Sequence, residues 1–241
     1  MNRIILIITI CVISFITLQL YCNDIKVEVF DSNVKGINLL LIGGTHGNEP
    51  AGSVALTNFI KDLKDKKYIL KSGKITIINK PNKLGLLFNN RHLLHRFINR
   101  DLNRNYPRNA SEKALDPISK KIMIYVNKSD WVLDFHEGWG YIYEHKGSMG
   151  SGIFPGNTPN SLTMSQNIQI GINNAIDGKN KFGLKEGVHP DYRSLKSYAN
   201  YIGKDYILIE TSGQNDIQPL DVRLEQVRFI IDFFLRFNDM I

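Results

Sequence analysis

Cysteine is nearly absent from this chain of 241 residues: there are two, Cys11 and Cys22, and both lie within the first 22 positions. From residue 23 onward neither a disulfide nor thiolate chemistry is available, so a metal site there must be built from histidine and carboxylates. Internal repeats, low-complexity tracts and interdomain linkers are missing too, and the length suits one globular domain with a short extension. With 43% hydrophobic and 22% charged residues, the composition is that of a folded domain. The formal charge is +7, but no nucleic-acid-binding signature accompanies it. The basic residues are scattered, as at Lys61, Lys64, Lys66 and Lys67 or Arg91, Arg96, Arg100 and Arg104, in the manner of a solvated basic surface. Nucleic acid is not an expected partner.

Long apolar runs are equally rare, and the one present is terminal. Asn2 and Arg3 precede residues 4–20, which are apolar almost throughout, and the first acidic residue is Asp24. This pattern reads as a secretory signal over residues 1–22, although Leu20 and Cys22 match a small-x-small cleavage site poorly. An uncleaved signal anchor, with residues 4–20 in the membrane, is the alternative. Residues 23–241 are then the catalytic domain, secreted or exported, and expected to be monomeric. A buried N-terminal helix is disfavoured because the segment has no polar face.

Beyond residue 26, strand and helix patterns alternate. Strands are expected over residues 26–30, 37–42, 74–79, 131–135 and 206–209. Helical spacing covers residues 49–66, 112–127, 161–176, 192–202 and 220–237, and residues 81–111 read as a loop-rich insertion dense in Asn and Arg. Such alternation implies an α/β sandwich with a mixed, largely parallel sheet.

The ionisable residues cluster at strand ends. His46 and Glu49 follow one strand, His136 another and Glu210 a third, and ligands in open α/β sheets bind beyond the carboxyl ends of strands. His46 and Glu49 sit three apart in a glycine-rich turn, where both side chains can face one point. Imidazole and carboxylate are zinc ligands, and catalytic zinc takes three protein ligands and keeps a fourth position open. His136 is the natural third, with Asp134 placed to accept a hydrogen bond from a ligand imidazole. Taken alone, His46 could be a turn residue and Glu49 a helix N-terminal charge; the full set is the stronger signal.

Four segments, GGTHGNEPAG (43–52), RFINRDLNRNYP (96–107), DFHEG (134–138) and IETSG (209–213), together resemble the zinc carboxypeptidase clan, in particular its succinylglutamate desuccinylase/aspartoacylase branch. They run in the family's order across about residues 37–215. The resemblance implies a three-layer α/β/α sandwich, one zinc ion per chain held by His46, Glu49 and His136, and hydrolysis of an amide next to a free carboxylate. It makes Glu210 the carboxylate that works on the bound water, a role for which burial at the end of an apolar strand suits it. Asn103 and Arg104 match the pair that grips the substrate carboxylate, for which a planar guanidinium is suited. Arg96 matches the arginine that stabilises the oxyanion, with Arg100 a rival. Tyr192 is the choice for a substrate-facing tyrosine, although core packing accounts equally well for Tyr198 and Tyr201.

Other residues are given lesser tasks. Asp101 is expected to orient its loop, and His92 and His95 to belong to a basic face. His145 and His189 carry no assignment. Glu137 should point away from His136 if their strand continues. The expected substrate is an N-acyl amino acid or a peptide with a free carboxylate. The HGNE and DFHEG wording favours a deacylase, while the 31 residues after Glu210, without the β-rich C-terminal domain of aspartoacylase-type enzymes, favour a carboxypeptidase with an open site. An inactive carboxylate-binding module would have lost a ligand or Glu210, and neither is lost.

Overall fold

A computed structural model describes residues 2–145, 147–176, 178–187 and 192–241; His189 lies outside them. Helix α1 (Asn2–Asn23) is followed by β1 (Glu28–Asp31), β2 (Asn38–Gly43), α2 (Pro50–Lys64), β3 (Lys74–Ile78), α3 (Lys83–Leu87) and α4 (Pro117–Lys128). The chain continues through β4 (Trp131–Gly138), β5 (Gly152–Pro155), α5 (Pro159–Asn173), β6 (Gly183–Leu184), α6 (Leu195–Tyr201), β7 (Asp205–Ser212) and α7 (Leu220–Phe237). The seven strands form one sheet in the order β1-β3-β2-β4-β7-β5-β6. The centre, β3-β2-β4-β7, is parallel, whereas β1 and β5 join their neighbours β3 and β7 antiparallel. The expected mixed, largely parallel sheet is therefore present.

Side-chain alternation along the strands builds the three layers. Leu39, Leu41, Leu133, Phe135, Ile207 and Ile209 point to one face, where Leu56 and Phe59 of α2, Ile168 of α5 and Ile230 and Phe234 of α7 cover them. Leu40, Ile42, Val132 and Tyr206 point to the other, beneath Ile118, Ile122 and Val126 of α4 and Leu195 and Tyr198 of α6. Both faces of the central strands are buried, which is why they read as continuous apolar runs.

Helix boundaries follow local chemistry. Helix α4 begins at Pro117, five residues later than its spacing suggests, because Asp116 caps it by accepting from the Ile118 N–H at 2.7 Å. Strands β4 and β7 run three residues beyond their apolar cores, taking His136 and Glu210 into the ladder itself. Strands β5 and β6, four and two residues long, fall in the glycine-rich stretch where the sequence carries no strand pattern.

Helix α1 stands apart from this core. The side chains of Ile5, Ile7, Ile8, Ile10, Val12 and Ile13 are exposed, while at its end Lys83 Nζ lies 4.5 Å above the Tyr21 ring. Among the described residues no helix is long and apolar enough to cross a membrane.

Candidate active site

The turn after β2 brings the first two site residues together. Gly44 takes a left-handed φ of +76°. A Cβ on Gly47 would stand 1.9 Å from the Gly85 carbonyl carbon, so only glycine lets the loop at α3 approach. Glu49 stands just before α2 and His46 three residues earlier, both about 2% exposed. From β4, His136 meets them. Its Nδ1 lies 2.7 Å from Glu49 Oε2 and 3.1 Å from His46 Nδ1, and His46 Nδ1 lies 2.8 Å from Glu49 Oε1.

This cluster has the donor set for a divalent cation. His46 Nε2 faces Asp101 Oδ1 at 3.1 Å, and His136 Nε2 faces Asp134 Oδ1 at 3.3 Å. Each carboxylate favours a proton on its Nε2, which turns both Nδ1 lone pairs toward the same point as the two oxygens of Glu49. Four electron-rich atoms that converge in a buried site repel one another unless a cation lies among them. His46, Glu49 and His136 are thus able to hold a metal ion.

The surrounding charges respond to this crowding. Burial opposes ionisation of Glu49, but His46 and His136 outweigh it and hold the carboxyl well below its ordinary range. Burial likewise works against a charged His136, yet Asp134 and Glu49 raise its affinity for a proton well above normal. Asp101 is also depressed: its hydrogen bond to His46 and the charges of His46, Arg91 and Arg104 outweigh its burial. Asp101 does more than orient a loop, since one of its oxygens serves both His46 and the Asn103 N–H.

A cavity of about 270 Å³ opens beside the cluster, lined among others by His46, Glu49, His136, Glu210, Asn103, Arg104 and Tyr192. Glu210 pairs in register with His136 on adjacent parallel strands, so both side chains leave the same face. Burial pushes its carboxyl up to about 8, with His136 and Arg91 pulling the other way, and its Oε2 is buried without a hydrogen-bond partner. Asn103 Oδ1 accepts from the Leu195 N–H at 2.8 Å, which directs its amide NH2 away from that bond. The guanidinium of Arg104 lies 4.5 Å above the Tyr192 ring.

The structure places Arg96 outside the cavity. Its Nε lies 3.3 Å from Asp116, the residue that caps α4, and it does not line the cavity. Exposed Arg100 does not line it either. Arg91 takes the place beside the cluster, with Nη1 2.9 Å from Glu49 Oε1 and Nη2 3.4 Å from Asp101 Oδ2. Nothing in the sequence separates Arg91 from its basic neighbours; the fold of the insertion selects it. Lys196 was equally hidden, a lysine beside the apolar stripe of α6 that also lines the cavity. Glu137, one residue on from His136, turns to the opposite face. There it accepts from the Ala51 N–H at the start of α2 and pairs with Arg223 of α7.

Comparison with known proteins agrees with this geometry. Residues 35–142 match the family model of the succinylglutamate desuccinylase/aspartoacylase catalytic domain. The chain resembles this branch of the zinc carboxypeptidase clan. Among solved structures, the apo cell shape determinant protein of Helicobacter pylori superposes with a TM-score of 0.75 at 22% identity, over 90% of this chain and 55% of that one. The mDAP-bound form of the same protein, described as a D,L-carboxypeptidase, gives 0.71 at 23% identity, over 86% and 52%. A succinylglutamate desuccinylase/aspartoacylase from Rhodobacter sphaeroides gives 0.59 at 14%, over 90% and 60%. These likenesses establish the desuccinylase- and carboxypeptidase-like fold, and this chain spans little more than half the length of those proteins. A comparison with curated proteins finds no match.

Proposed function

We propose that this chain is a zinc-dependent hydrolase that cleaves an amide bond next to a free carboxylate, in the first place as a deacylase of N-acyl amino acids. The observation that carries the reading is the convergence of His46, Glu49 and His136 with the unpartnered carboxylate of Glu210 on one cavity. Zinc bound by such residues acidifies water and polarises a carbonyl. Glu210 Oε2, buried beside the cluster without a hydrogen-bond partner, takes the proton of the attacking water and passes it to the departing nitrogen. Asn103 and Arg104 grip the substrate carboxylate, with Tyr192 stacked on the guanidinium. Arg91 provides the cation nearest the cluster for the developing oxyanion.

A second reading, a carboxypeptidase acting on peptides, is favoured by the higher TM-scores with the D,L-carboxypeptidase than with the desuccinylase-type structure. An inactive carboxylate-binding module fits less well, since all three ligand residues and Glu210 are in place. We assign residues 1–22 to export, as a signal or an anchor, which the exposed apolar surface of α1 supports.

The deciding experiment supplies the zinc-loaded protein with N-acyl amino acids and with peptides that end in a free carboxylate. Release of amino acid from the first set supports the deacylase, and release from peptides alone supports the carboxypeptidase. Turnover of neither leaves the binding module.

A further inference from the structure

A second cavity, of about 670 Å³, lies where α1 meets the domain, and no residue of the metal-binding cluster lines it. Tyr21, in the last turn of α1, contributes to its wall together with residues of α2 and α3. Lys83 Nζ donates to the Tyr21 carbonyl at 3.3 Å and lies 4.5 Å from the centre of its ring, which fastens α1 to α3. Just beyond, Asp24 pairs with Lys121 of α4 at 3.4 Å.

Lysine supplies most of the charge around this cavity. Lys26, Lys64, Lys80 and Lys83 line it against a single carboxylate, Glu28, which lies 2.7 Å from Lys26 and 3.0 Å from Lys64. Among the described residues neither Lys80 nor Lys83 forms an ion pair, and Lys80 is exposed. Residues 79–100 contain no aspartate or glutamate, so nothing in this stretch repels an anionic surface. The same stretch is apolar where it meets solvent. Leu87, which lines the cavity, is 72% exposed, and Phe88 beside it is 65% exposed. Exposed apolar side chains next to unpaired lysines, at the root of an apolar helix, match the chemistry of a bilayer interface. A symmetric contact with a second copy would instead set these lysines against one another.

Resting on the reading of residues 1–22 as an anchor, we propose that the cavity at the foot of α1 is part of a membrane-docking face that binds the headgroups of anionic phospholipids. Lys64, Lys80 and Lys83 hold the headgroup phosphates by charge, while Leu87 and Phe88 enter the boundary of the acyl chains. The long aliphatic stems of the lysines let their ammonium groups stay at headgroup level beside those apolar side chains. Helix α1 brings the domain to the bilayer, and the basic face fixes which side of the domain rests on it.

The test floats the full chain on vesicles of phosphatidylcholine alone and of phosphatidylcholine with about one third phosphatidylglycerol, at low and high salt. Binding to neutral vesicles reads α1, and the added binding to anionic vesicles reads the docking face. That increment should exceed about tenfold in partition coefficient and shrink at high salt. A variant with Lys64→Gln, Lys80→Gln and Lys83→Gln should lose most of it. A control with Lys35→Gln, Lys71→Gln and Lys128→Gln removes the same charge from outside the cavity and should keep it. Equal partition onto the two compositions would overturn the docking face and leave the anchor standing. An increment that both triple variants lose alike would overturn it too, since it would then belong to net charge. Absence of neutral binding, with an anionic increment lost in the cavity variant alone, would overturn the anchor and support the docking face. Lipid-free self-association lost in that variant, without any lipid preference, would assign the face to a second copy and overturn the proposal.

Discussion

His136 and Glu210 face each other in the parallel ladder between β4 and β7, and this single register places a metal-binding imidazole and an unpartnered carboxylate on one face of the sheet. The next pair along, Glu137 and Thr211, is turned to the other face. A slip of one residue between these strands would exchange the two sets and dismantle the site.

The protein should bind one zinc ion per chain, measured by elemental analysis after reconstitution and removal of free metal. His46→Ala and His136→Ala should each abolish tight binding while far-ultraviolet circular dichroism stays unchanged. Asp134→Asn, which keeps the shape but weakens the partner of the His136 Nε2, should lower zinc affinity by about 10- to 100-fold in a chelator competition. Wild-type protein without stoichiometric metal would remove the metal centre from the account.

Glu210→Gln should retain zinc and fold but lose turnover by about 100- to 10,000-fold, since an amide does not accept the proton. The expected change is in kcat, with KM largely preserved. Activity near that of the wild type would take Glu210 out of the chemistry.

Blocking the substrate carboxylate as its amide or ester should lower kcat/KM by more than about tenfold, because a charge-assisted bond is lost at Arg104. Arg104→Lys should be damaging as well, since an ammonium does not reproduce the guanidinium fork. Equal hydrolysis of free-acid and amidated substrates would show that the carboxylate is not read.

The Glu137–Arg223 pair joins β4 to α7 with both side chains almost fully buried. Arg223→Met leaves the carboxylate without its partner and should destabilise the fold by about 3–5 kcal/mol in urea titration. Glu137 still accepts from the Ala51 N–H, and burial already pushes its carboxyl upward, so protonation softens the loss at low pH. A change below about 1 kcal/mol at neutral pH would show that the pair does not brace the sheet edge.

Lys196 has a pH signature of its own. Its folded-state pKa of about 8 lies below the ordinary 10.5, so between these values the unfolded chain binds the proton more firmly than the folded one. Stability rises with pH wherever the unfolded state holds more protons. Relative to Lys196→Met, the wild type should therefore gain stability from pH 8 to 10.5, by at most about 3 kcal/mol. Parallel stability profiles for the two proteins over that range would contradict the buried, unpaired ammonium.

Sequence alone determined the alternation of strands and helices, the placement of His46, Glu49, His136 and Glu210 at the carboxyl edge, and the expectation that Glu137 turns away from His136. These are local properties: apolar runs, glycine at a tight turn, and the two-residue period of a strand. Strands β5 and β6 stayed hidden because they are short and exist through pairing with β7 and with each other. The insertion was harder still, since the five arginines from Arg91 to Arg108 offer the same chemistry in sequence. Only the tertiary structure decided that Asp116 takes Arg96 while Glu49 and Asp101 take Arg91, and that Lys196 is buried against the cavity without a partner. The physical reason is that a guanidinium or an ammonium is assigned by the carboxylates within reach of it, and that reach is set by contacts between segments distant in sequence.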